Sequence, residues 1–215
     1  MLQIRTFEES DRNELLSLFG RAARESPGES LWGHEVSEAS VYLVPYMDME
    51  TDSLFIALEG GTITGYLTGC IDSSRFPPES ERIANAIREY RLMYRFRTVT
   101  FFLRSLFDIA GTTIARQPQI GDFQDPRWPA HLHINVVPEV RGKGVAAALM
   151  NRWLDRLREV RSQGCYLQTL EENTRAVRFF ERMGFSKFGA TPLVPGLRYH
   201  GRRVHQQTMV WSAEP

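Results

Sequence analysis

Arg141-Gly142-Lys143-Gly144 is the run of this chain best suited to hold an anion. The N–H groups in the first turn of a helix have no intrahelical partner, and the macrodipole adds roughly half a positive charge there, so a phosphate is stabilised before any side chain acts. Gly142 and Gly144 allow the backbone close to a ligand, and Arg141 and Lys143 add charge. The elements that must position this turn are legible on both sides. Upstream, His131 to Val137 alternates polar and apolar residues, which predicts a strand with Leu132, Ile134 and Val136 on one face, ended by Pro138. Downstream, Val145, Ala148, Leu149, Trp153, Leu157 and Val160 follow the spacing of a helix with one buried face. Strand, basic glycine turn and helix is the order that builds an anion cradle, although a Gly-rich loop carrying two solvated cations has the same composition.

Two nucleotide motifs compete for this run. A P-loop needs Gly-Lys-Ser/Thr, and Gly142-Lys143-Gly144 has no hydroxyl for magnesium, which excludes a nucleoside triphosphate here. Gly142-x-Gly144-x-x-Ala147 fits dinucleotide spacing, but the next strand, Gly164 to Leu170, offers Gln168 and Thr169 where an acid should take the ribose. Dinucleotide binding is left as an alternative that lacks its acid.

Val136-Val137-Pro138 followed by Arg141-Gly142-Lys143-Gly144-Val145-Ala146 resembles the acetyl-CoA signature Q/R-x-x-G-x-G/A of the GNAT superfamily of N-acetyltransferases. A second block, Asn173-Thr-Arg-Ala176 to Phe179-Phe180 and Gly184-Phe185, is similar to that family's N-x-x-A-x-x-F-Y-x-x-x-G-F pattern. The resemblance covers roughly Leu132 to Phe185. It implies an α/β (α+β) acyl-CoA N-acyltransferase fold, a mixed central sheet flanked by helices, and direct transfer of acetyl from acetyl-CoA to a primary amine of a small molecule, protein or peptide. It also implies that Val136, Val137, Arg141, Gly142, Lys143, Gly144, Val145, Ala146, Asn173 and Phe180 line the CoA site, with the backbone N–H near Val136 facing the oxyanion. Asn173 has a structural role open to it as well, capping the helix from Thr174, with Gly184 closing that helix. Pro129 to Asn135, after a long insert, resembles a narrower branch that includes bacterial relatives of the O-GlcNAcase C-terminal acetyltransferase-like domain, a neighbourhood that contains pseudo-enzymes.

Amine acylation needs a base for the amine proton and a donor for the oxyanion, and an acid for the thiolate helps. Many GNAT members carry a Tyr acid where this chain has Phe180, and some carry a Glu base where it has Gln168; neither residue here can exchange a proton. The replacements open to it are His131 and His133 on one strand face with Asn135, Glu171 or Glu172 at a strand end, and Tyr199 in a late loop. Histidine titrates near neutrality and suits the base, although a strand histidine is more commonly a hydrogen-bonded structural residue. The pair lacks Cys or carboxylate neighbours, so no metal is expected. A non-catalytic acyl-CoA-binding module is the alternative that Gln168 and Phe180 keep open.

The remaining residues set limits. A chain of 215 residues suits a single domain over 1–215 with an elaboration, and its formal charge of zero gives no reason to expect nucleic acid or an anionic membrane as partner. Cys70 and Cys165 lie in apolar strand-like runs, as buried reduced thiols do, and no secretory start or long uncharged apolar span is present, so a cytoplasmic location is expected. Further elements are a strand from Leu2 to Phe7, a helix from Ser10 to about Arg24 with Leu15, Leu16, Leu18, Phe19 and Ala22 inward, and a helix from Glu38 to Met47. A hairpin from Ser53 to Asp72 turning at Gly60-Gly61 follows, and Phe185 to Ala190 and Val204 to Trp211 are the last strands. Residues 73–130 interrupt the family scheme between the third and fourth strands with a helical, aromatic pattern running from Pro78. Such an insert should pack on the sheet or on a second copy in a homodimer, or form a lid over the acceptor site; Arg88, Arg91, Arg95, Arg97 and Arg104 also leave a membrane-surface helix open. Asp48, Glu50 and Asp52 could attract a cationic amine, and Arg198, His200, Arg202, Arg203 and His205 form a basic segment that could meet CoA phosphates or an acidic acceptor.

Overall fold

A computed structural model of the chain describes residues 1–23 and 31–213; Arg24, the expected end of the first helix, lies outside them. Seven α-helices and eight strands are described, with short 3-10 turns between them. The strands are β1 (Leu2–Thr6), β2 (Leu54–Glu59), β3 (Thr62–Cys70), β4 (Ala130–Val136), β5 (Gly164–Leu170), β6 (Ser186–Phe188), β7 (Leu193–Tyr199) and β8 (Arg202–Ser212). They form one sheet in the order β1-β2-β3-β4-β5-β8-β6, with β7 pairing β8 alone. Every pairing is antiparallel except β4 with β5. The helices are α1 (Arg12–Ala23), α2 (Glu35–Tyr42), α3 (Val44–Met49), α4 (Glu79–Glu89), α5 (Phe96–Ile114), α6 (Val145–Glu159) and α7 (Thr174–Arg182). No helix among the described residues is long and apolar enough to cross a membrane.

The core follows from the hydrophobic pattern. Leu15, Leu18 and Ala22 of α1, Leu54 to Ala57 of β2 and Val145, Leu149 and Trp153 of α6 are buried in one cluster. At about 25 cal/mol per Å² of apolar area, each large side chain there contributes roughly 1.5–3 kcal/mol before conformational entropy is counted. Strand alternation divides the faces: the side of β3 that carries Gly65 and Gly69 abuts Leu149 and Trp153 of α6. Leu132, Ile134 and Val136 share that side through the β3–β4 register, so His131, His133 and Asn135 turn to the opposite face.

Three expectations change. The helix expected over 38–47 is two, α2 and α3, parted at Leu43 because Pro45 at the start of α3 has no N–H for a continuing ladder. The long helical pattern from Pro78 is likewise two helices, separated by Arg91 in the left-handed region (φ 50°) and a short turn at Leu92–Tyr94. A strand absent from the sequence reading, β7, holds Pro195 and Gly196, residues that weaken any strand pattern. The basic segment from Arg198 to His205 is therefore a β7–β8 hairpin instead of a loop between the last strands.

The insert packs inward along two seams. α4 lies on α2, while α5 lies along β7. The buried Asp108 of α5 accepts from the Gly196 N–H at 2.9 Å and from both terminal nitrogens of Arg198 at 2.8 and 2.9 Å, with Arg203 at 3.4 Å. Gly196 has φ +77°, and a Cβ there would collide with the Ser105 Oγ and the Phe101 carbonyl, so only glycine lets α5 this close.

Candidate active site

The site begins where the sheet splits. β4 and β5 run parallel and pair only at Ala130↔Cys165 and His131↔Tyr166; beyond that β4 follows β3 while β5 stays on β8. The Val137 N–H donates to the Thr64 carbonyl at 2.9 Å, toward β3. Because N–H directions alternate along a strand, the Val136 N–H points the other way, into the gap that β5 has left. Both strands end on the same side, where α6 and α7 begin, so two helix N-termini and the gap share one rim.

The turn to α6 forms the cradle. Pro138–Val140 makes one short helical turn, and Arg141 and Lys143 spend their N–H groups on the Pro138 and Val140 carbonyls, each at 3.2 Å. Gly142 (φ +81°) and Gly144 (φ +86°) occupy backbone space that L side chains rarely adopt, and a Cβ at either would meet nothing within 4 Å. The glycines thus serve the turn's conformation and leave its outer side open. Gly144 caps α6 without a side-chain bond, and the helical ladder starts with Ala148 N–H to the Gly144 carbonyl at 3.0 Å. The first-turn N–H groups therefore face outward with their dipole, as an anion requires. Lys143 is exposed at this point. Arg141 is turned differently: its guanidinium donates to the Ala22 carbonyl at 3.1 Å and so ties the turn to the end of α1.

Asn173 caps α7 by accepting from the Ala176 N–H at 3.3 Å. Phe180 is buried beside Phe179 and Phe185, at ring distances of 5.3 and 6.0 Å. Of the proton-handling candidates, His131 is wholly committed. Its Nε2 meets the Tyr46 hydroxyl at 2.8 Å and its Nδ1 meets the Ser73 Oγ at 2.7 Å. The Ser73 hydroxyl donates to the Pro129 carbonyl at 2.7 Å, so it accepts from Nδ1–H, and Nε2 accepts from Tyr46. Burial, then His133 and Arg82, push the His131 pKa well below its ordinary value, and the ring is neutral.

His133 lies one alternation further on the same face. It sits edge-on to Tyr42 at 6.2 Å and to Tyr46 at 5.7 Å. Burial first, and Arg82 second, lower its pKa to about 4, so its ring is a free base at neutral pH. Across the strands it faces Thr68, whose buried hydroxyl has no protein partner among the described residues. Asn135, next along, donates to the Tyr66 hydroxyl at 3.0 Å. Glu172 is tied to His205, accepting from its N–H at 3.0 Å and from Nδ1 at 3.0 Å; burial opposes its ionisation, but these bonds outweigh it and hold the pKa below the ordinary carboxylate value. Tyr199 packs against His200 with tilted rings 4.1 Å apart at the tip of the β7–β8 hairpin. The structure thus groups His131 and His133 with Tyr42 and Tyr46, and leaves Glu172 and Tyr199 on separate rims.

Sequence reasoning did not find the partners that decide these roles: Tyr46, Ser73, Tyr42 and Arg82 come from α3, the start of the insert, α2 and α4. It also missed an open cleft of about 210 Å³ lined by Trp32, Phe101, Arg104 and Gly196 to Arg198. Trp32 contacts Tyr42 at 6.3 Å, so two ring contacts connect this cleft to His133. Asp48 is paired with Arg12 at 2.7 Å, which offsets its charge, and Glu50 accepts from the Cys70 thiol at 3.3 Å. Both cysteines are buried free thiols.

The sequence profile of the acetyltransferase (GNAT) family matches residues 21–185. Solved structures share the fold over nearly the whole chain. SsHAT is 21% identical with a TM-score of 0.63, covering 99% of each chain. The polyamine N-acetyltransferase of Drosophila melanogaster is 18% identical with a TM-score of 0.61, covering 99% of this chain and 100% of that one. The yncA protein of Salmonella typhimurium, solved with its cofactor acetyl-CoA, is 15% identical with a TM-score of 0.59, covering 98% of this chain and 93% of that one.

Proposed function

The chain belongs to the acetyltransferase (GNAT) family, and on that premise we propose that it transfers acetyl from acetyl-CoA directly to a primary amine. One observation carries this reading: the gap between β4 and β5, with the Val136 N–H directed into it, opens beside the uncapped N-terminus of α6. The outward N–H groups from Gly144 to Ala146 suit the pyrophosphate of the donor, and the exposed Lys143 suits its charge. Arg141 supports this indirectly, as a brace between the turn and α1. Asn173 and Phe180 form the β5–α7 wall, where the pantetheine arm would run. The Val136 N–H is aimed where negative charge develops on the thioester oxygen.

His133 is the base this reading favours, because its ring nitrogens are uncommitted to protein partners among the described residues; with its pKa lowered to about 4 it stands unprotonated at neutral pH and relays the amine proton instead of retaining it. The neutral amine attacks the thioester carbonyl, giving a tetrahedral oxyanion at the Val136 N–H; His133 takes the proton from the new ammonium, the carbon–sulfur bond breaks as the carbonyl re-forms, and His133 returns that proton to the departing thiolate as the CoA thiol. His131 acts as a positioning residue that fixes this face of β4 through Tyr46 and Ser73. Buried thiols at Cys70 and Cys165 fit a reducing compartment such as the cytoplasm.

Calorimetry tests the donor site. The wild-type chain should bind CoA, and saturation at a hundredfold excess over Kd should stabilise it by about 2.7 kcal/mol, read as a rise in Tm. Gly144→Glu places a carboxylate on the anion site, and together with Arg141→Glu it should abolish binding; circular dichroism checks that the variant folds. Absence of CoA binding by the wild-type chain overturns the proposal.

A further inference from the structure

α5 turns Phe101 and Phe102 inward onto Trp32, yet it leaves a second apolar stripe outside. Thr98, Asp108 and Thr112 are buried against the body of the protein, while Phe96 is 85% exposed, Phe107 77% and Ile114 84%, with Leu106 at 61%. Phe96, Leu103, Phe107, Ala110 and Ile114 recur at seven and then alternating four- and three-residue steps, which places them on one stripe of the helix. The turn before it adds the exposed Met93 and Tyr94. Asp108 prevents the stripe from rolling inward, because its bonds to Gly196, Arg198 and Arg203 fix the helix about its axis. A contiguous apolar face of this kind on a water-facing helix marks a contact surface.

Charge identifies what covers it. From Tyr90 to Gly121 the sequence holds arginines at 91, 95, 97, 104 and 116 against a single acid, Asp108, which is buried and already paired. The zero balance of the whole chain conceals this segregation. A second copy packed stripe to stripe would bring two sets of arginines together with no exposed acid on either helix to meet them, and like charges so placed oppose association. An anionic bilayer surface satisfies both properties at once, taking the aromatic and aliphatic stripe at the headgroup boundary and attracting the flanking cations.

We propose that the exposed face of α5, with Met93 and Tyr94, docks this enzyme on an anionic lipid surface. The full chain should co-sediment at low salt with vesicles of equal parts phosphatidylcholine and phosphatidylglycerol, and at least tenfold less with phosphatidylcholine alone. Phe107→Ser with Ile114→Ser, which alters only exposed side chains, should lower binding about tenfold, and Arg95→Glu with Arg116→Glu at least as much, with both variants retaining wild-type thermal unfolding. Failure to sediment with the anionic vesicles, or binding unaffected by these variants, overturns the proposal. So does a dimer in light scattering that Phe107→Ser with Ile114→Ser dissolves, since a second copy is then the occupant.

Discussion

At the residue scale, two histidines of the same type on the same strand face have different roles. His131 spends both nitrogens on Tyr46 and Ser73, whereas those of His133 meet no protein partner among the described residues, which is why the proposed mechanism makes it the base. His133→Gln should therefore lower kcat by roughly a hundredfold or more, the usual contribution of a general base, and leave CoA affinity within twofold. Steady-state kinetics with calorimetry checks this, and an unchanged kcat removes His133 from the mechanism. The pair His131/His133 was visible in the sequence as candidate bases; which of the two is free was not, because Tyr46 and Ser73 are 85 and 58 residues away along the chain. The empty acid position at Phe180 was legible directly, since a phenyl ring has no proton to give in any fold.

At the element scale, the run from β4 through α6 was legible almost residue for residue, because a strand, a proline, a glycine turn and an amphipathic helix are all set by local spacing. The hairpin of β7 and β8 was not, because β7 is stabilised by its packing on α5 and by Asp108 instead of by its own pattern. Asp108→Ala leaves the Gly196 N–H and the Arg198 guanidinium without their buried partner and should cost about 3 kcal/mol in urea unfolding. Asp108→Asn keeps one acceptor for Gly196 and should cost less. A loss under 1 kcal/mol for the alanine variant shows that the clamp does not hold α5 on β7.

At the scale of the whole molecule, burying two neutral histidines between the sheet and α2 to α4 gives stability a defined acid limb. The pKa of His133 falls from 6.5 unfolded to about 4 folded, and burial also holds that of His131 well below its ordinary value, so between pH 6.5 and 4 the unfolded chain binds protons that the folded chain refuses. Stability is complete above about pH 6.5 and declines as pH falls, by on the order of 3 kcal/mol from His133 alone near pH 4. Thermal unfolding across this range should show the decline, and His133→Gln should make it shallower, leaving the share of His131; a wild-type curve flat from pH 6.5 to 4.5 contradicts the burial. The sequence by itself determined the strand, glycine turn and helix from β4 to α6, the family, and that Gln168 and Phe180 carry no titratable group, because each is a matter of residue type at short spacing, and the backbone of a strand–turn–helix unit reads only its own neighbours. The tertiary structure alone decided which histidine keeps its nitrogens unpartnered among the described residues, where the cleft beside Trp32 and Arg104 lies, and that α5 leaves Phe96, Phe107 and Ile114 exposed. Each of those depends on contacts between residues tens of positions apart, and a helix periodicity is the same whether its apolar stripe faces the core or the surroundings.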